Sequence, residues 1–303
     1  MKKNVKLASL FFLGLFLFAA CKKDIPAPTA SFTVVMDGGV VTFIAEVTND
    51  SKYEWDFGDG SYINTLHAPV HTYSQIDVPV DIVVSLTIKG PGGEVTVKNT
   101  ITIPAKTKME YLTGGKPSAP NSRKWRLNQK AAFLDVTLAD ANLTSQIPDA
   151  YKIGGILASV GLSKAYLDEF VFKSDGTLTI NSKGGGVLAS LAYCLGNGIP
   201  LASYYADLGL AYTKSFSLPA GATFAINEGK NYTIGTPLGD VTYPKVMTLS
   251  FTNGGFLGLQ DFTSECIIKK ITDTEMNAIL FYAHPSYGAK PMLALNVTFE
   301  AIK

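Results

Sequence analysis

Histidine, tryptophan and cysteine are all scarce in this chain of 303 residues, with 3, 2 and 3 copies, and charged residues make up only 17 %. Three histidines, at 67, 71 and 284, offer no metal-ligand spacing with cysteine. There is no nucleophile elbow and no phosphate-binding glycine loop, so the commonest hydrolytic and nucleotide chemistries lack their motifs. Nor is there a run of charge of one sign: 26 basic residues face 25 acidic ones. A near-neutral chain without a basic patch excludes nucleic acid as the expected partner. The sequence calls for no cofactor and no metal.

What is present begins with a short basic segment, Met1 to Lys6, and an apolar run from Leu7 to Ala20. That run is too short to span a bilayer and reads as a signal peptide over residues 1–20. It ends in Leu17-Phe18-Ala19-Ala20-Cys21, which resembles the lipobox of bacterial lipoproteins, whose cysteine takes a diacylglycerol. Cys21 is therefore the expected lipidation site, and residues 21–28, with Pro26 and Pro28, the expected tether. Lys22-Lys23-Asp24 is similar to the export signal of Bacteroidetes lipoproteins that reach the outer face of the outer membrane. The localisation expected from this is a lipid-anchored cell-surface protein of the outer membrane. Losing Lys2, Lys3 and Lys6 leaves the mature chain with 23 basic residues, close to neutral. About 280 mature residues suit one small and one larger domain.

Short alternating segments separated by turn residues fill positions 29–105, which argues for a β-sandwich. Between them lies Tyr53-Glu54-Trp55-Asp56-Phe57-Gly58-Asp59-Gly60, followed by His71-Thr72-Tyr73. These residues resemble the signature of PKD domains, an immunoglobulin-like sandwich. In physical terms Trp55 and Phe57 alternate inward, Asp56 and Asp59 cap amides of a tight turn, and Gly58 and Gly60 supply left-handed dihedrals. His71 reads as a packed, hydrogen-bonded ring beside Tyr73. The resemblance implies a spacer or adhesive module, not an enzyme.

Residues 106–122, rich in Gly, Pro, Ser and Lys, read as a linker, and 123–303 as a C-terminal β domain. Strand-like runs at Phe170–Phe172, Thr177–Asn181, Thr223–Ile226, Val246–Phe251, Cys266–Ile271, Ala278–Tyr282 and Met292–Phe299 predict a larger β-sandwich or a lipocalin-like barrel with short helices. The whole chain is thus expected to be all-β. Asp149–Ser163 and Gly186–Leu210 do not alternate and are the expected short helices or loops over one end, where a β scaffold keeps its binding surface. Gly184-Gly185-Gly186, Gly196-Asn197-Gly198 and Pro200 also stop 184–206 from being a membrane span, despite its lack of charge. Cys194 and Cys266 either pair in an oxidising compartment or remain as buried thiols.

Tyr111-Leu112-Thr113-Gly114-Gly115 with Arg123-Lys124-Trp125 resembles the entry to C-terminal domains of Bacteroidetes surface lipoproteins from polysaccharide-utilisation systems. The function implied is non-catalytic capture of a polysaccharide for an outer-membrane uptake complex. Sugar rings stack on exposed aromatic faces, and the candidates are Tyr193, Tyr204, Tyr205, Tyr212, Tyr282 and Tyr287. No catalytic residue is assigned: the adjacent carboxylates Asp168 and Glu169 would point to opposite faces of a strand. A protein-docking lipoprotein without a sugar site and a lipocalin-like carrier are the alternatives.

Overall fold

The computed structural model describes residues 25–50, 52–115, 120–130, 135–138, 156–159, 161–183, 186–199, 210–212 and 216–303. The signal peptide, Cys21, Tyr204 and Tyr205 lie outside the described residues, and Tyr212 is described in its backbone. Two compact units divide the chain between Ala105 and Lys106. No described helix is long and apolar enough to cross a membrane.

The first unit holds β1 (Thr29–Asp37), β2 (Val40–Thr48), β3 (Lys52–Asp56), β4 (Val70–Thr72), β5 (Val80–Gly90) and β6 (Gly93–Ile103). They form two three-stranded antiparallel sheets, in the orders β1-β2-β4 and β3-β5-β6. Period-two burial is the reason: Val41, Phe43 and Ala45 of β2 and Val84, Leu86 and Ile88 of β5 all face one core. Trp55 sits fully buried at its centre, edge-on to Phe32 at 5.1 Å, and its Nε1 donates to the Leu66 carbonyl at 2.9 Å.

The turn after β3 follows the sequence expectation closely. Asp56 Oδ1 accepts from Gly58 N at 2.9 Å, and Asp59 Oδ1 accepts from Ser61 N at 3.1 Å. Gly58 has φ 76°, and a Cβ there would run into the Val83 carbonyl. His71 stacks on Phe57 at 4.1 Å, and its Nε2 lies 2.7 Å from Asp59 Oδ2. Below it the Tyr73 hydroxyl donates to the Phe57 carbonyl at 2.9 Å.

The second unit contains β7 (Ser122–Leu127), β8 (Asp135–Leu138), β9 (Glu169–Lys173), β10 (Leu178–Asn181), β11 (Leu188–Ser190), β12 (Leu210–Tyr212), β13 (Phe224–Thr236), β14 (Gly239–Phe251), β15 (Glu265–Ile271), β16 (Glu275–Ala283) and β17 (Pro291–Ile302). Its helices are α1 (Lys108–Thr113), α2 (Ile156–Ser159) and α3 (Leu191–Gly196). One nine-stranded antiparallel sheet runs β10-β9-β7-β17-β16-β15-β14-β13, with β8 also paired to β17. Its two ends meet: Leu178 N donates to Ala222 O at 3.0 Å and Phe224 N to Gly176 O at 2.9 Å, around a Thr177–Thr223 bridge. The sheet therefore closes on itself, which decides for a barrel over a second sandwich.

Trp125, Phe170, Phe172, Leu249, Leu280 and Phe299 fill the barrel interior. Strands β15 to β17 are buried on their other face as well, where Ile267, Ile279, Phe281 and Ala294 form a second cluster with Tyr232, Ile234, Val241 and Tyr243. Those four come from the far half of the β13–β14 hairpin, beyond register shifts at Lys230. Lys245, at φ 51°, marks the same bend, so the hairpin leaves the wall and covers its neighbours from outside.

Both barrel ends are stoppered. At one end α1 is held by a capping box, with Thr107 Oγ1 accepting from Glu110 N and Glu110 Oε2 from Thr107 N. Trp125 Nε1 donates to Leu112 O at 2.8 Å, and Asp273 of the β15–β16 turn pairs with Lys106 and Arg123. This corrects the linker reading: residues 106–122 open the second unit, because a cap and a buried Leu112 fix a helix within a composition that looks loose. At the other end the β14–β15 loop dips inward from Gly255 to Leu259, and Phe256 meets Phe170 edge-on. Gly258, at φ 68°, passes so close to Phe299 that a Cβ would lie 2.7 Å from the ring.

Candidate functional site at the barrel mouth

The outer side of that inward loop is the floor of an open cleft of about 340 Å³. Its wall is α3, which the sequence starts with Ser190 as N-cap, accepting from Tyr193 N at 3.1 Å. Loop and helix are clamped together, since Gln260 N donates to Leu188 O at 2.8 Å and Ser190 N to Gln260 O at 3.0 Å. The Tyr193 ring then packs 5.3 Å from Phe262, tilted by 59°, and Gln260 Nε2 donates to the Tyr193 hydroxyl at 3.2 Å. Phe262 is 39 % exposed and forms the open aromatic face of the cleft. Asn253 and the bare backbone of Gly254 and Gly255 complete one side.

Asp261 is the pin of this arrangement. Its Oδ1 accepts from Phe262 N at 2.7 Å, its Oδ2 from Ala283 N at 2.8 Å, and Ser190 adds a side-chain hydrogen bond. One carboxylate thus ties the loop to α3 and to the end of β16. Burial pushes its carboxyl up to about 6, against the hydrogen bonds that pull it down. With both oxygens engaged, Asp261 positions the site and is not placed as an acid or base.

The predicted tyrosines divide. Tyr193 lines the cleft, half-buried. Tyr287 is 47 % exposed on the short 3-10 turn Pro285–Tyr287, which lies against α3 at the same end of the barrel. Tyr282 is corrected: it is 3 % exposed and packs in the barrel interior, since both faces of β16 are covered and alternation leaves it no way out. Cys194 and Cys266 are free thiols in separate clusters, one on the buried face of α3 and one inside the barrel, so the disulfide alternative is also corrected. Burial pushes the Cys194 thiol up to about 11, which keeps it in the unreactive form. Asp168 and Glu169 part as expected, Asp168 buried and Glu169 facing Lys183 at 3.8 Å. Among the described residues no group of three or more His, Cys, Asp or Glu could hold a metal ion.

Phe262, Gln260 and Asp261 were not legible as site residues. The only available signal is that Gly254-Gly255 opens an apolar stretch, Phe256 to Leu259, too glycine-rich for a strand.

No protein-family model matches the chain, and no curated protein does. Among solved structures the chain is similar to the PKD1 domain of Vibrio anguillarum Epp, with 27 % identity and a TM-score of 0.24, over 27 % of this chain and 98 % of that one. It is also similar to the PKD1 domain of the Vibrio cholerae metalloprotease PrtV, with 28 % identity and a TM-score of 0.24, over 26 % of this chain and 100 % of that one.

Proposed function

We propose that this chain is a lipid-anchored surface protein of the outer membrane that captures a polysaccharide without cleaving it, the PKD-like unit serving as spacer. The observation that carries the reading is the Tyr193–Phe262 pair with the Gln260 and Asn253 amides in one open cleft. A sugar ring stacks its C–H face on an aromatic side chain and bonds its hydroxyls to neighbouring amides. Tyr287 on the adjacent turn extends the aromatic surface at that end. The stoppered barrel favours such surface capture over a lipocalin-like carrier, because Phe256 to Leu259 occupy the mouth through which cargo would enter. In this reading the captured chain is handed to an outer-membrane uptake complex.

The test is affinity electrophoresis of the full chain in gels cast with uncharged plant, algal and host polysaccharides. Retardation by at least one of them, lost in Phe262→Ala, is expected. Equal retardation of the variant, or none by any polysaccharide, sinks the proposal.

One observation favours protein docking as a second reading. Tyr62, Ile63 and Leu66 along the β3–β4 connection of the first unit and Val70 at the start of β4 are all exposed, Tyr62 at 99 %. Large apolar side chains left in water in a row mark a contact surface.

A further inference from the structure

A second concavity, of about 430 Å³, shares no lining residue with the mouth cleft. It lies between the turn after β7 and the 3-10 helix Ser163–Leu167. Arg126, Lys130 and Lys164 line it against a single carboxylate, Glu300. Arg126 Nε donates to Glu300 Oε1 at 2.6 Å, so this pair neutralises itself. Lys130 and Lys164 then line the cleft with no further carboxylate among its described lining residues to offset them. Their backbones are held at the rim of the hollow: Asn128 Oδ1 accepts from Lys130 N at 2.9 Å, and Lys164 sits on the short helix, while both side chains are exposed. Like charges held around one hollow raise its potential, and a bound anion relieves it. Leu167, half exposed, adds an apolar patch to the same lining.

We propose that this hollow is a binding site for an acidic saccharide, the carboxylate or sulfate of one sugar lying between Lys130 and Lys164 and its C–H face on Leu167. The inference rests on the capture reading only in taking the ligand to be a saccharide. It makes the chain a two-site binder, with an aromatic cleft for an uncharged stretch and a cationic hollow for a charged one.

The full chain is run in gels containing polygalacturonate, dextran sulfate or neutral dextran, each referred to a gel without polysaccharide. Retardation by a polyanion is expected, with apparent affinity falling about ten-fold in a K130Q/K164Q double variant and vanishing at about 0.5 M salt. Polygalacturonate alone identifies a carboxylate ligand and dextran sulfate alone a sulfate. Phe262→Ala and a K52Q/K98Q control, none of whose residues line the hollow, leave the retardation as it is. No retardation by either polyanion, or retardation unchanged in K130Q/K164Q, overturns the inference. Loss in Phe262→Ala with K130Q/K164Q unaffected overturns it too, while keeping the mouth cleft as a sugar site.

Discussion

The two units solve the same problem, a stable β fold, with opposite distributions of apolar side chains. The first is a thin sandwich around Trp55 that leaves Val35, Tyr62, Ile63, Leu66, Val70 and Val78 in water. In the second, a barrel fills its interior, stoppers both ends and folds a hairpin over its outer face to bury a second cluster. A small sandwich cannot cover its own surface, and depends on one large ring and one tightly specified turn. A larger barrel has chain to spare, and uses it to make a solid body whose loops carry a shaped cleft. Local motif defines the first unit, and long-range closure the second.

The sharpest way to break this contrast is at the centre of the smaller core. Trp55→Ala removes a fully buried ring and its hydrogen bond to Leu66, and is expected to destabilise the first unit by about 3–5 kcal/mol. Scanning calorimetry should show that unit's transition collapse while the barrel's stays in place; a shift of both would mean that the units fold as one. Gly258→Ala is the corresponding strike on the barrel. A left-handed dihedral and the Phe299 ring oppose the added methyl, at about 2–3 kcal/mol, read as a lower barrel melting temperature with the first transition unmoved.

Acid separates the units by sign. Asp59, with its hydrogen bonds from Ser61 and its His71 partner working against the desolvation that would raise it, is lowered to about 2 from its ordinary 3.8. A depressed carboxyl stabilises the fold above 3.8, and that contribution disappears as pH falls towards 2. Asp261 is raised instead, to about 6, so its ionisation opposes folding above that value and the opposition is relieved as pH falls from 6 to about 4. Melting curves should therefore show the barrel gaining stability between pH 6 and 4 and the sandwich losing it between 4 and 2. Asp261→Asn should remove the first trend and Asp59→Asn the second. The smallest effect is expected at the barrel's entry: Thr107→Ala breaks the capping box at about 1 kcal/mol and lowers the barrel transition by a few degrees.

The same contrast governs what could be read in advance. Trp55, Asp56, Gly58, Asp59 and Gly60 act on neighbours a few positions away, so their roles were legible before any fold was known. Strands β9, β10 and β14 to β17 are legible because their apolar residues are contiguous or alternate within turn-bounded segments. The far hairpin, Lys230 to Lys245, was missed because its apolar face is a widely spaced Tyr232, Ile234, Val241 and Tyr243 among threonines and glycines. Helix α1 is masked by its linker-like composition. The burial of Tyr282 is not legible because its face of β16 becomes interior only when the sheet closes on itself. Phe262 became a site residue for the same reason in reverse: a phenylalanine is left in the open only because Asp261 anchors its loop from two other elements.

Hydrogen exchange of the full chain, with and without a polysaccharide that retards it, locates the surface that a saccharide covers. Added protection is expected in α3 and across residues 251–264, with the first unit unchanged. Protection confined to the Tyr62–Val70 segment, and none at the barrel mouth, would contradict the capture reading.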